Sequence, residues 1–304
     1  DGMLHGVRAN PDGNGGKELF AYVPNGVYDN LFNLTLPTYT HENYYVDGTA
    51  RIADVLLGST WATIVVGTTG AGGRSVFALN ITNPLTMTKD QVLWEFSPPE
   101  MGYTLFQPAI VLLPDGQFGV VVTSGYEALG TDGKIWILNP ADGSIIHTIT
   151  VNGSGGLGSP FVMDLDADRV ADRIYVGDTK GNLWRFDLNG SSHSQWQAPA
   201  TLQSAGKPIP LFIAKVDNLP SPPPPLPNPY PYYQAITAPP VASFNKMGEI
   251  MIFFGTGSFY KLGDNQVPVN PPVDTFYGII DRDNQIVGRS TLLEQEILTQ
   301  VSTQ

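Results

Sequence analysis

The apolar positions of this chain fall in short runs rich in β-branched and aromatic side chains, and each run stops at Gly, Asp or Asn. Runs of that kind, bounded by turn residues, predict strands. Within them a loose repeat is visible: an apolar strand ending in Gly, a polar turn, then an apolar-aromatic strand ending in Asp or Asn. Ile64-Val65-Val66-Gly67 leads to Ser75-Val76-Phe77-Ala78-Leu79-Asn80, and Val120-Val121-Val122-Thr123-Ser124-Gly125 leads to Ile135-Trp136-Ile137-Leu138-Asn139. Ile174-Tyr175-Val176-Gly177 leads to Gly181-Asn182-Leu183-Trp184-Arg185-Phe186-Asp187, and Ile252-Phe253-Phe254-Gly255 leads, after a longer insert, to Thr275-Phe276-Tyr277-Gly278-Ile279-Ile280-Asp281. Copies spaced by roughly 50–60 residues suit the four-stranded blades of a β-propeller and are too far apart for a helical solenoid. A β-sandwich is the alternative, and it would space its strands more evenly. The reading is therefore all-β, with residues 1–304 as one propeller domain. Long amphipathic helices are hard to find, and the best candidate is Ser290 to Thr299.

Composition narrows this picture. With 33 Gly and 26 Pro in 304 residues and only 14% charged residues, many buried strands joined by turns are expected. The formal net charge of -12 excludes a general affinity for nucleic acid or anionic lipid, which reward clustered Lys and Arg. Having no cysteine, the chain has no disulfide, thiol nucleophile or thiolate metal site. No apolar run reaches the length of a membrane span. The opening Met3-Leu4-His5-Gly6-Val7-Arg8 reads as the second half of a repeat unit, so the chain is expected to be a piece of a longer protein whose ring closes with its other terminus. Residues 217–240 are proline-rich, with polyproline II character expected over Pro222-Pro223-Pro224-Pro225, and read as a surface loop between blades. Phe20 to Asp54 is irregular and carries Tyr22, Tyr28, Tyr39, Tyr44 and Tyr45; it reads either as an adhesive loop or as one packed on the propeller.

The most informative stretch is Asp164 to Asp172, where four carboxylates occupy nine positions. They would repel one another unless a cation sat among them. Oxygen ligands at positions 1, 3, 5, 7 and 9 of a tight loop are the spacing of the EF-hand, with the seventh acting through its carbonyl. Here those positions are Asp164, Asp166, Asp168, Val170 and Asp172, which points to Ca2+. Zinc is disfavoured because no His or Cys is near. Two positions depart from the EF-hand: Arg169 stands where the turn usually has Gly, and Tyr175 stands where the bidentate Glu is expected, leaving that contact to Asp172. The flanks, Ser159 to Met163 and Arg173 to Gly177, read as strands. The competing interpretation is an acidic hairpin turn, since Asp favours turns.

Local signatures of catalysis are missing. His5, His41, His147 and His193 are scattered without metal-ligand spacing, and no nucleophile elbow or phosphate-binding loop occurs. A glycosidase carboxylate pair is defined in space, so the sequence leaves it open. The Trp136 and Trp184 units, with Ala141-Asp142-Gly143 after the first, bring to mind propellers of the quinoprotein alcohol dehydrogenases, although the vicinal cysteines of many such enzymes are absent. A quinone-dependent (PQQ-type) dehydrogenase is thus the alternative to a binding module.

Several motifs, taken in order, resemble a known family: Asp1 to Gly6, Glu18 to Pro24, Gly70 to Leu79, Asp164 to Asp168 with Gly181 to Asp187, and Phe254-Gly255-Thr256-Gly257. Together they resemble the C-terminal domain of the PilY/PilC type IV pilus biogenesis proteins over nearly the whole chain. The resemblance implies a modified, quinoprotein-like propeller of seven blades without enzymatic activity. It also implies one calcium ion held by Asp164, Asp166, Asp168, Val170 and Asp172. It implies a place at the cell surface, at a pilus tip or the outer membrane of a Gram-negative bacterium. There the partners would be pilins or minor pilins and the host-cell surface, and calcium would oppose pilus retraction and support adhesion and twitching motility. The Arg-Gly-Asp integrin motif of some relatives is absent, so integrin binding is not implied.

Overall fold

Each copy of the sequence repeat becomes two neighbouring strands of one antiparallel sheet, the middle pair in the first three copies and the last two strands of a three-stranded sheet in the fourth. The computed structural model describes residues 2–11, 13–39, 43–130, 132–215, 233–260, 263–266 and 274–295. Blade 1 consists of β3 (Arg51–Leu57), β4 (Thr60–Thr68), β5 (Val76–Asn80) and β6 (Val92–Phe96), hydrogen-bonded in that order. Blade 2 consists of β7 (Ala109–Leu112), β8 (Phe118–Thr123), β9 (Gly133–Leu138) and β10 (Ile145–Val151), again in chain order. Blade 3 has β11 (Phe161–Met163), β12 (Arg173–Gly177), β13 (Asn182–Leu188) and β14 (Trp196–Gln197), and β17 (Phe212–Ile213) also pairs with β13. Blade 4 has β18 (Val241–Phe244), β19 (Ile250–Gly255) and β20 (Phe276–Asp281). Two small hairpins complete the set: β1 (Leu4–Val7) with β2 (Glu18–Tyr22), and β15 (Gln203–Ser204) with β16 (Lys207–Pro208). The described residues thus hold four blade-sized sheets, where the family resemblance implied seven.

The middle strands are mostly apolar because both of their faces are covered. In β5, Phe77 and Leu79 pack toward the β1–β2 hairpin, while Val76 and Ala78 pack toward blade 2. In β9, Trp136 and Leu138 face blade 1, and Ile135 and Ile137 face blade 3. Successive side chains of a strand point to opposite faces, so one run of residues supplies two interblade cores. The first strands neighbour one another in turn: β7 touches β3 on one side and β11 on the other, and β11 touches β18.

Asp178 holds the turn that ends β12. It is fully buried, and its carboxylate accepts from the amides of Gly155 (2.9 Å), Lys180 (2.8 Å) and Asn182 (3.0 Å), from Asn182 Nδ2 (2.8 Å) and from Trp184 Nε1 (2.9 Å). Gly181 follows at φ 80°, and a Cβ there would lie 2.5 Å from the carbonyl oxygen of Ala214. Only glycine fits that combination of left-handed backbone and close approach.

The predicted helix at Ser290 to Thr299 is corrected in its described part. Arg289–Thr291 is a single 3-10 turn and Leu292 to Gln295 are irregular, while 296–299 lie outside the described residues. One turn without an apolar face to bury does not sustain a helix. Of the proline-rich stretch, 217–232 lie outside the described residues, and in 233–240 the side chains of Gln234 and Ile236 are buried. Within the irregular Phe20 to Asp54 segment, Tyr45 is buried while Tyr28 and Tyr44 are exposed. His41 lies outside the described residues. Among the described residues, no helix is long and apolar enough to cross a membrane.

Candidate metal centre

The aspartate run is the loop between β11 and β12, whose register pairs Met163 with Arg173 and so brings the two ends of the loop together. Strands flank it on both sides, as the sequence predicted. Backbone amides shape the loop through its own carboxylates. Asp164 accepts from the Ala167 amide through Oδ1 (2.7 Å) and from the Arg169 amide through Oδ2 (2.7 Å). Asp172 Oδ2 accepts from the Leu165 amide at 2.6 Å, across the neck of the loop. Asp166 accepts from the Asp168 amide at 3.2 Å, and Asp168 from the Val170 amide at 2.7 Å. The tight curl requires left-handed backbone at Ala167 (φ 65°) and Arg169 (φ 74°). Arg169 therefore adopts the conformation that Gly supplies in an EF-hand, at a cost of about 1–2 kcal/mol for a residue with a Cβ.

The fold brings three of the predicted ligands together. Asp164, Asp166 and Asp172 each place one carboxylate oxygen within 4.8 Å of the others. Oxygens on opposite sides of a calcium ion, at about 2.3–2.6 Å from it, stand about 5 Å apart, so the spacing fits one such ion. Asp168 stands outside that trio, with Oδ1 turned back onto the Val170 amide. Asp164 and Asp172 are partly buried, while Asp166 and Asp168 are exposed. Burial pushes the Asp172 carboxyl above its ordinary range. The Leu165 amide opposes this, and the charges of Asp166, Asp164 and Asp168 add to it.

The loop also ties blade 3 to blade 2. Val170 forms a parallel bridge with Leu112 at the end of β7, and the Ala171 amide donates to the Leu112 carbonyl at 2.8 Å. The Asp172 carbonyl accepts from the Leu188 amide of β13 at 2.8 Å. Immediately after the loop, Arg173 enters a buried charge cluster that the sequence reading missed. Arg173 and Asp187 are cross-strand partners, as are Tyr175 and Arg185, so all four project from one face of blade 3. That face meets Asp281 at the end of β20. Arg185 Nη1 lies 2.8 Å from Asp281 Oδ1, Arg173 Nη1 3.2 Å from Asp281 Oδ2, and the Tyr175 hydroxyl donates to Asp281 Oδ2 at 2.6 Å. Arg185 Nη2 lies 2.9 Å from Asp187 Oδ2 and Arg173 Nε 3.1 Å from Asp187 Oδ1, while Asp283 closes the outer side. The signal was present in the alternation of Arg173, Tyr175, Arg185 and Asp187, polar positions on strands otherwise apolar.

Four blade-like sheets in chain order around neighbouring first strands, with an acidic loop in the third, can be set against known proteins. The family model described as the PilY1 beta-propeller domain matches residues 1–301. The chain belongs to the PilY1 β-propeller family. A type IV pilus biogenesis factor PilY1 homolog of Xylella fastidiosa is 35% identical over 314 residues, covering 98% of this chain and 20% of that protein. The type IV pilus biogenesis factor PilY1 of Pseudomonas aeruginosa is 34% identical over 297 residues, covering 94% of this chain and 24% of its own length. The chain thus spans about a fifth to a quarter of the length of these PilY1 relatives. The crystal structure of the Pseudomonas aeruginosa PilY1 C-terminal domain matches with a TM-score of 0.73 and 29% identity, over 94% of this chain and 56% of that one. These PilY1 proteins are named as biogenesis factors and none as a dehydrogenase, so the quinone-dependent alternative gains no support from them.

Proposed function

We propose that this propeller is a calcium-dependent, non-catalytic module of a type IV pilus biogenesis factor, acting at the bacterial cell surface with pilins or minor pilins as partners. The observation that carries the calcium reading is the trio of carboxylates drawn within 4.8 Å of one another in a strand–loop–strand hairpin. Asp164, Asp166 and Asp172 would hold the ion, with Asp168 and the Val170 carbonyl completing the set. When bound, calcium supplies charge neutralisation and cross-linking of the loop; it does no chemistry. The pilus role rests on the relatives' names, and the oxygen-only donor set argues for a hard cation. In this reading occupancy of the loop sets the balance of pilus extension and retraction, and through it twitching motility and adhesion to the host-cell surface.

Calorimetric titration of calcium into the wild type and into the Asp164→Ala, Asp172→Ala double variant tests the site. The wild type is expected to bind one ion and the variant none. In cells the same variant should change twitching. A wild type without binding heat overturns the calcium reading. A variant that loses calcium yet twitches and pilates normally reduces the ion to a local structural staple.

A further inference from the structure

We propose that Arg173 makes the acidic loop and the seam between blades 3 and 4 one cooperative unit, so that cation occupancy is read out at blade 4. The calcium half of this inference rests on the proposed function, while the mechanical half stands on the seam itself. Asp172 and Arg173 are consecutive. The first faces the loop, and the second turns its guanidinium, 12% exposed, to Asp187 of its own blade and Asp281 of the next. Asp281 is fully buried in its side chain and receives both arginines and the Tyr175 hydroxyl.

At the centre of the cluster Arg185 and Asp281 are held on several sides, while Arg173 Nε is buried without a hydrogen bond and depends on the nearby Asp187 charge. Arg185 is 2% exposed, and burial, which opposes its charge, is outweighed by its hydrogen bond to Asp187 and the charge of Asp281, which hold it firmly protonated. Buried ion pairs of this kind are stable only when every partner is in place. The position of Asp281 therefore fixes Arg173, Arg173 fixes the first residue of β12, and that residue fixes the neck of the loop, where Asp172 meets the Leu165 amide. Just ahead of Asp172 on the same limb, Val170 and Ala171 pin the loop to blade 2 through Leu112. A cation that tightens the neck would tighten the seam, and by reciprocity a broken seam weakens the cation.

Two readouts test this in the purified 304-residue domain: hydrogen exchange and calcium calorimetry, on the wild type, on Asp281→Asn, and on Arg282→Gln as control. Arg282 forms an exposed ion pair with Glu249 just beyond β20 and takes no part in the seam. In the wild type, calcium should slow amide exchange both in residues 163–173 and in β20. Without calcium, Asp281→Asn should speed exchange in residues 163–173, and it should weaken calcium binding at least fivefold, the lower end of ordinary coupling between sites. Arg282→Gln should leave both unchanged. Protection by calcium confined to the hairpin, with β20 unaffected, overturns the inference even if Asp281→Asn does not fold. So does an Asp281→Asn protein whose hairpin exchange and calcium affinity match the wild type. A wild type that gives no binding heat overturns the calcium reading instead, and the mechanical half is then decided by the cation-free exchange of Asp281→Asn alone.

Discussion

Replacing one carboxylate of the loop by its amide separates electrostatic load from structure. Asp172→Asn keeps an oxygen able to accept the Leu165 amide, now at 2.6 Å, and removes one negative charge. At the 4.8 Å that bounds the trio, two unit charges repel by about 0.9 kcal/mol in a water-like dielectric of about 80 and about 3.5 kcal/mol at about 20. Asp172 faces two such partners and is only partly buried, so a value near the water limit applies and relief of about 1–2 kcal/mol is expected. For a domain of this size that raises the cation-free melting temperature by about 1.5–3 °C. With calcium at about 100 times its dissociation constant the wild type gains about 2.7 kcal/mol and the variant does not. Thermal melts in chelator and in calcium should therefore cross, with the variant more stable without the ion and less stable with it. A variant that melts below the wild type in chelator would refute the electrostatic argument, because the loop would then be held by its amide caps and not loaded by repulsion.

Further expectations concern the loop, the seam and the blade rim. In chelator, the raised Asp172 carboxyl contributes stability that is present below the ordinary carboxylate value of about 3.9 and is lost as pH rises through its folded value. Urea melts from pH 3 to 7 should show this slope in the wild type and not in Asp172→Asn. Arg169→Gly relieves the left-handed strain at φ 74° and should stabilise the domain by about 1 kcal/mol in denaturant titrations. Arg185→Met strands the buried carboxylates of Asp187 and Asp281 and should cost about 3–5 kcal/mol by the same assay. His147 is lowered by burial, against the Trp196 carbonyl and with the nearby His193 adding to the effect. Its contribution is present above the ordinary value of about 6.5 and lost as pH falls through its folded one, a step that His147→Gln should remove from a pH titration of stability.

The propeller was legible because its repeat is a strong local signal: Gly177 and Gly181 punctuate strands whose apolar runs are covered on both faces. The aspartate spacing likewise marked Asp164, Asp166 and Asp172, since a loop closed by a two-strand register must bring its first and last residues together. Asp168 counted equally with them in sequence, but which way a loop carboxylate turns depends on which amide it caps, and its choice of Val170 is a matter of local dihedrals. The Arg173–Arg185–Asp281 cluster was harder to foresee because Arg185 and Asp281 are 96 positions apart and meet only when two blades are laid face to face. Asp178 was not singled out by sequence, because its five donors come from a turn, an incoming segment and an indole that sequence order does not bring together.

The pinned ends of the proline-rich insert have a consequence for how this family can diverge. Lys215 and Tyr233 form an antiparallel bridge, and the Gln234 amide donates to the Ala214 carbonyl at 2.9 Å, so the excursion leaves and re-enters at a single closed stem. With the two ends already held together by this stem, doubling the length of chain between them would add only about 0.6 kcal/mol of closure entropy. Evolution can therefore change the length and composition of the sequence between Lys215 and Tyr233 at little cost to the sheets that carry the stem.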